Sequence, residues 1–206
     1  MNTRLVWNFE LNLDKPIKFE ELASEEQEST RWEARYFWPE NEIITFYNLS
    51  SSVLAFRQVQ IKERSDSYYL LPEKNLNIKK RREELLYKPL LKQKGHCSGF
   101  GKKINLMALD CAQALPGCPS LEVKVLLNLL KKSGTAVKVN KTAFIYKFNS
   151  TPSIKLELSR LIINNLVYFS ASIEGRSYTL VSQISRLLLK KQVSCDYVSF
   201  LKQLKL

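Results

Sequence analysis

A two-residue period that returns in run after run limits how this chain can fold more than any other feature. In "TRLVWNFELN" (3–12), Leu5, Trp7, Phe9 and Leu11 fall on one face, with Arg4, Asn8 and Glu10 on the other. That alternation is the signature of a half-buried strand. "RWEARYFWP" (31–39) is aromatic-rich and closes at a proline, which suits a strand ending. "DSYYLLP" (66–72) reads as a short strand, "PEKN" as a hairpin turn, and "NIKKRREELLYKPLL" follows as the return. "TAVKVNKTAFIYKFN" (135–149), "SIKLELSRLII" (153–163) and "LVYFSASIEG" (166–175) are three more strands, joined by turns at "NSTPS" and "NN".

The other segments are less periodic. "ELASEEQEST" (21–30) reads as a loop or short helix, and "VLAFRQVQIKERS" (53–65) as a segment that could open as a helix. Residues 93–120 hold four of the six glycines and read as a loop-rich insertion with a short helix at 104–114. "LEVKVLLNLLKKSG" (121–134) fits a helix between Ser120 and Gly134, or a strand beginning at "LEVKV". "YTLVSQISRLLLKK" carries Leu180, Ile184, Leu187 and Leu188 on one helical stripe, and "DYVSFLKQL" does the same with Val198, Leu201 and Leu204. No repeat or low-complexity linker interrupts the 206 residues. The expectation is a single domain over 1–206, mainly antiparallel β with few helices, closed or strongly curved, with 1–30 as an N-terminal extension.

Several function classes drop out. The longest apolar runs are too short to cross a bilayer, and no secretory signal is visible, so a soluble cytoplasmic protein with no membrane partner is expected. Cys97, Cys111, Cys118 and Cys195 show no disulfide spacing. His96 beside Cys97 raises the idea of a zinc site with Cys111 and Cys118, but no C-x-x-C pair supports it. Phosphate-loop, dinucleotide, nucleophile-elbow and H-E-x-x-H motifs are all missing, and with one histidine any acid–base chemistry falls to Glu, Asp, Lys or Arg.

Charge points the other way. The net charge is +12, and it is uneven: 12 acids and 8 bases up to Asp66, then 8 acids and 24 bases. The basic part suits a phosphate-rich partner, with nucleic acid or a nucleotide both possible in principle. Residues two apart share a strand face, so Lys79 and Arg81 point one way and Lys80 and Arg82 the other. By the same rule Glu33 goes with Arg35, Lys141 with Lys147, and Glu157 with Ser159. In a closed barrel such sets would line the interior, where cations neutralise phosphate oxygens and carboxylates hold a divalent cation. The solvent face of a half-buried sheet alternates in the same way.

The chain also resembles the CYTH-like superfamily of triphosphate tunnel proteins, nearest to small bacterial members. The residues that carry the likeness are "EARYF" (33–37), "DSYYLLP" (66–72), "IKKRREELLYK" (78–88), "VKVNKTAFIYKF", "LELSRLIINNLVYFSASIEG" (156–175) and "CDYVSFLKQL" (195–204), in order over residues 31–206. The resemblance implies an eight-stranded antiparallel tunnel with a C-terminal helix, binding a polyphosphorylated small molecule with Mg2+ or Mn2+. It implies Arg35, Lys79, Arg81, Lys88, Lys141 and Lys147 as phosphate contacts and Glu33, Glu157 and Glu174 as metal-side carboxylates, and it leaves catalytic residues unassigned. The chain departs from the family at two points: Glu33-Ala34-Arg35 stands where E-x-E-x-K is expected, and Leu86 replaces the acid before Lys88. Binding is therefore expected more than metal-dependent phosphohydrolysis. The alternatives are a nucleic-acid module with a basic aromatic face, or an inactive tunnel that serves as a scaffold for protein interaction.

Overall fold

The computed structural model describes residues 2–12, 16–49, 59–190 and 192–204. The segment expected to open as a helix at 53 lies largely outside them. Its described end belongs to the long strand Gln60–Leu71.

The main strands are β3 (Arg31–Pro39), β5 (Gln60–Leu71), β6 (Lys74–Arg81), β7 (Glu84–Lys88), β8 (Leu90–Lys94), β9 (Cys97–Phe100), β13 (Thr135–Phe148), β14 (Ile154–Ile163) and β15 (Leu166–Gly175). With the two-residue β10 (Ile104–Asn105) they form one sheet in the order β10-β7-β6-β5-β13-β14-β15-β3-β9-β8, all neighbours antiparallel. β7 and β8 lie near opposite ends of that order, yet only Pro89 separates them in the chain. They are in effect one strand bent at a residue with no N–H to give to a ladder. The sheet therefore curls until a single stretch of backbone joins its two sides. Counting β7–β8 once and leaving out β10 gives the eight strands expected.

Local sequence explains the turns. The β14–β15 hairpin reverses on Asn164 and Asn165, with φ of 48° and 64°, the left-handed pair that a two-residue turn needs and asparagine tolerates. The N-terminal run differs from expectation. Trp7 has φ of 50°, so "TRLVWNFELN" is not one strand but a hairpin of β1 (Asn2–Val6) and β2 (Phe9–Asn12). β2 also pairs in parallel with β4 (Ile44–Tyr47). The 93–120 span is more ordered than its glycines suggest. It supplies β9, β10, a short 3-10 turn at Leu106–Ala108 and the hairpin of β11 (Ala114–Leu115) and β12 (Cys118–Glu122). The ambiguous segment after it is α1 (Val123–Ser133), whose N-cap is Glu122 rather than Ser120 and whose C-cap is Gly134.

Three apolar clusters organise the core. The small β1-β2-β4 sheet and α2 (Tyr178–Leu189) cover the convex face of β3, β13, β14 and β15, burying Phe9, Trp38, Phe46, Leu156, Phe169, Ile184 and Leu188. α2 begins at Ser177, whose Oγ accepts from the Leu180 N–H. α1 covers the convex face of β6 and β7 through Ile78, Tyr87 and Leu126. The third cluster lies inside the curl. There α3 (Tyr197–Gln203), capped by Asp196, blocks one end of the concave face. Its Tyr197 ring stacks on Tyr68 at 4.7 Å, and its Phe200 ring stacks on Phe37 at 3.9 Å and meets the edge of Tyr168 at 5.4 Å. The chain entering α3 is fastened to β3: the Cys195 N–H donates to Arg35 O at 2.7 Å, and the Arg35 N–H to Ser194 Oγ at 3.1 Å.

No helix among the described residues is long and apolar enough to cross a membrane. If α3 is a fixed plug, Phe200→Ala removes a packed ring and costs about 3–5 kcal/mol in urea unfolding. Val193→Ala, at an 85% exposed position, shifts stability by less than about 0.5 kcal/mol.

Candidate functional site: a charged lining of the concave face

Strand parity and register decide which side chains meet inside the curl. Ser172 lies opposite both Arg35 and Glu157, and Glu174 opposite Glu33. Arg64 lies opposite Lys141, and Tyr68 opposite Lys79. All of these positions have inward parity. The odd residues of β3 and β14 and the even residues of β15 thus bring three carboxylates and several hydroxyls beside one guanidinium.

That guanidinium belongs to Arg35, which is 5% exposed. Its Nε donates to Glu33 Oε1 at 2.7 Å. Nη1 donates to Glu157 Oε1 and to Ser170 Oγ, each at 3.3 Å, and Nη2 to Glu174 Oε1 at 3.3 Å. The Tyr197 ring of α3 lies 5.4 Å from the guanidinium carbon. Two lysines complete the cluster. Lys88 Nζ donates to Glu33 Oε2 at 2.7 Å, a link from β7 across the interior to β3, and lies 3.8 Å from the Phe100 ring centre. Lys141 Nζ donates to Glu157 Oε1 at 2.8 Å, which also accepts from Ser159 Oγ.

A second cluster sits beside the first on the β5–β6 hairpin. Asp66 accepts from Arg81 through both oxygens, at 2.6 and 2.7 Å, and from Lys79 Nζ at 2.9 Å. Lys79 also reaches the Tyr68 hydroxyl at 3.4 Å. Lys80 is exposed on the outside of β6, near Glu83 at 3.6 Å, whereas Arg82 lies past the end of the strand, exposed in the β6–β7 turn with φ of 53°. Lys79, Lys80 and Arg81 therefore divide by parity as their spacing predicts, and Arg82 does not take part in the alternation.

Burial and charge compete at each group. Burial would raise the Glu33 carboxyl, but Arg35 and Lys88 outweigh it and hold the group well below the usual carboxylate range. Lys141 and Arg35 do the same for Glu157. Burial also opposes ionisation of Asp66, yet Arg81 and Lys79 bring it to about 2. Its partner behaves differently. Burial lowers Lys79 to about 7, aided by Arg81 and only partly offset by Asp66. The pair is unequal because Asp66 draws on two cations, whereas Lys79 has one anion against a loss of hydration.

Of the expected site residues, Arg35, Lys88, Lys141, Glu33, Glu157 and Glu174 form one network, and Lys79 and Arg81 form its neighbour. Lys147 does not join. It has the same parity as Lys141 but lies six residues further along, exposed and opposite Lys155. Sequence reasoning passed over Asp66, the inward Ser170 and Ser172, and two further cations. Arg64 is half-buried, Lys103 is exposed, and neither makes an ion pair or hydrogen bond among the described residues. Partial loss of hydration lowers Lys103, and Lys88, Arg81 and Arg64 push it the same way, so these cations share one electrostatic neighbourhood.

The residues do not fit the expected Mg2+ or Mn2+ as they stand. Glu33 has both oxygens engaged by cations, and Arg35 occupies the point on which the three carboxylates converge. No group of three or more His, Cys, Asp or Glu side chains could hold a metal ion among the described residues. His96 pairs instead with Ser185 Oγ at 2.7 Å, and all four cysteines are free. A shallow depression of about 430 Å³ is lined by Glu63, Ser65, Asn140, Thr142, Arg160 and Ile162, which have outward parity, and by Arg64 and Lys141 of the charged lining. It opens chiefly on the convex face and borders two of the inward cations.

Comparison with known proteins adds little to the geometry. No family model matches the chain, and no curated protein matches it. Among solved structures it is similar to one described as "a putative adenylate cyclase" from Bacillus halodurans, at 14% identity and a TM-score of 0.37, covering 80% of this chain and 93% of that one. That likeness is too slight to bear on function.

Removing Arg35 would strand buried carboxylates. Arg35→Met therefore costs about 3–5 kcal/mol at neutral pH. The carboxyls have depressed pKa values in the folded wild type, so the stability they contribute is full above pH 5 and is lost as pH falls through the acid range. The gap between wild type and variant should accordingly narrow below about pH 4, the unfolded carboxylate range, in urea titrations run at several pH values.

Proposed function

We propose that this chain binds a small polyphosphorylated anion, such as a nucleotide, thiamine triphosphate or inorganic polyphosphate, within the concave face of its curled sheet. One observation carries the reading. Among the described residues, seven cations gather there (Arg35, Arg64, Lys79, Arg81, Lys88, Lys103 and Lys141) against four carboxylates (Glu33, Asp66, Glu157 and Glu174), an excess of three positive charges. With Lys79 neutral the excess is still two. Positive charge inside a walled, α3-blocked concavity attracts a compact, multiply charged anion more strongly than the same charge spread over an open surface. The resemblance of "EARYF", "IKKRREELLYK" and their companions to triphosphate tunnel proteins points the same way.

The reading is of binding, with no chemical step assigned. The carboxylates a hydrolase would use on a metal are held by cations, and the one histidine lies against α2, away from this lining. A nucleic-acid module would use the outward cations instead.

Thermal shift with ATP, thiamine triphosphate and sodium tripolyphosphate tests the proposal. A ligand at 100 times its Kd stabilises by about 2.7 kcal/mol. Arg81→Ala and Lys88→Ala should weaken binding by about tenfold or more, and Lys80→Ala and Arg82→Ala should leave it nearly unchanged. Absence of stabilisation by all three compounds rejects the proposal. Tight RNA binding that collapses with salt and depends on Lys80 and Arg82 would favour the nucleic-acid reading.

A further inference from the structure

The carboxylates and the cations of the lining divide into a closed set and an open set, and the division bears on how a ligand would bind. The closed set centres on Arg35. Its guanidinium takes one oxygen from each of Glu33, Glu157 and Glu174, the three side chains that would otherwise surround a divalent cation. Lys88 closes the second oxygen of Glu33, and Lys141 shares the engaged oxygen of Glu157. A metal ion entering here would meet a fixed like charge at its own coordination point. It would also have to displace a guanidinium that hydrogen-bonds through Nε, Nη1 and Nη2. The geometry is that of a counter-ion already supplied by the chain.

The open set consists of Arg64 and Lys103. They come from β5 and from the segment between β9 and β10: Arg64 lies opposite Lys141, and Lys103 directly precedes Ile104, whose pairing with Tyr87 sets Lys103 level with Lys88. Neither makes an ion pair with a carboxylate among the described residues; they repel each other and the adjoining Lys141, Lys88 and Arg81, and the attraction of Glu174 on Lys103 offsets this only in part. Such repulsion is relieved by an anion arriving between them.

We infer that the polyanion binds this lining without a divalent cation, Arg35 taking the place a metal would hold among the carboxylates and Arg64 and Lys103 making the first contacts. The inference rests on the polyanion-binding reading above and adds to it the cation requirement and the contact residues.

Isothermal titration of the full chain with sodium tripolyphosphate, once in EDTA and once in excess Mg2+, separates the two. Binding in EDTA at least as tight as in Mg2+ is the expected result, since Mg2+ only competes for the phosphate oxygens. Binding that appears only with Mg2+ overturns the inference and leaves the polyanion reading standing. No binding in either buffer removes both. Arg64→Ala and Lys103→Ala, each at an accessible position with no partner to strand, should each weaken binding in EDTA by about tenfold. Wild-type affinity in both variants overturns the contact assignment. In a separate arm, the free Mn2+ spin-resonance signal should stay undiminished when wild-type protein is added without ligand. Quenching of that signal would mean that the carboxylates release Arg35 to a metal, and would overturn the inference by a route independent of tripolyphosphate.

Discussion

The Arg35 guanidinium is the point on which the interior depends. It holds together carboxylates from β3, β14 and β15, and its backbone also receives the chain that leads into α3. Burying one cation among three anions is tolerable only because each charge finds a partner of opposite sign and good geometry. Ser159, Ser170 and Ser172 supply the remaining polar contacts. No buried side-chain nitrogen or oxygen is left unpaired among the described residues. The curl of the sheet and its charge pattern are thus mutually dependent: opening the curl would separate Lys88 from Glu33, and removing the charges would leave a polar cavity with nothing to close it.

Period two was enough to sort side chains into inner and outer faces. It placed Glu33 with Arg35, split Lys79 and Arg81 from Lys80, and set Glu157 beside Ser159, but it counted Arg82 into a strand that ends at Arg81. Height along the barrel is a different coordinate, and parity is blind to it. Lys147 shares the face of Lys141, yet at about 3.3 Å per residue it lies roughly 20 Å further on, outside the cluster. Asp66 was within reach of the sequence. Once the β5–β6 hairpin turns after Leu71, the register that sets Tyr68 against Lys79 also brings Asp66 beside Arg81. Lys103 was not within reach, because its neighbours Lys88, Arg81 and Arg64 lie on other strands earlier in the chain and its own segment has no period.

The same distinction applies to the fold. Long runs such as Thr135–Phe148 and Ile154–Ile163 were legible because each is paired on both sides along most of its length, which holds the two-residue period over many residues. Short strands were not. β9 reaches only three residues of β3, and the break at Trp7 depends on packing of that ring against Phe144 and Phe169, which no local pattern announces.

The Pro89 bend has one more implication. The circle of strands is completed at that point by the chain itself and not by a ladder of hydrogen bonds. A single cut between Lys88 and Leu90 would leave each pairing formally intact, yet turn a ring into a ribbon with two ends. Those ends would be β10, two residues long, and the exposed, lysine-bearing β8, a short strand and a charged one, which are the two kinds of border least able to recruit a further strand.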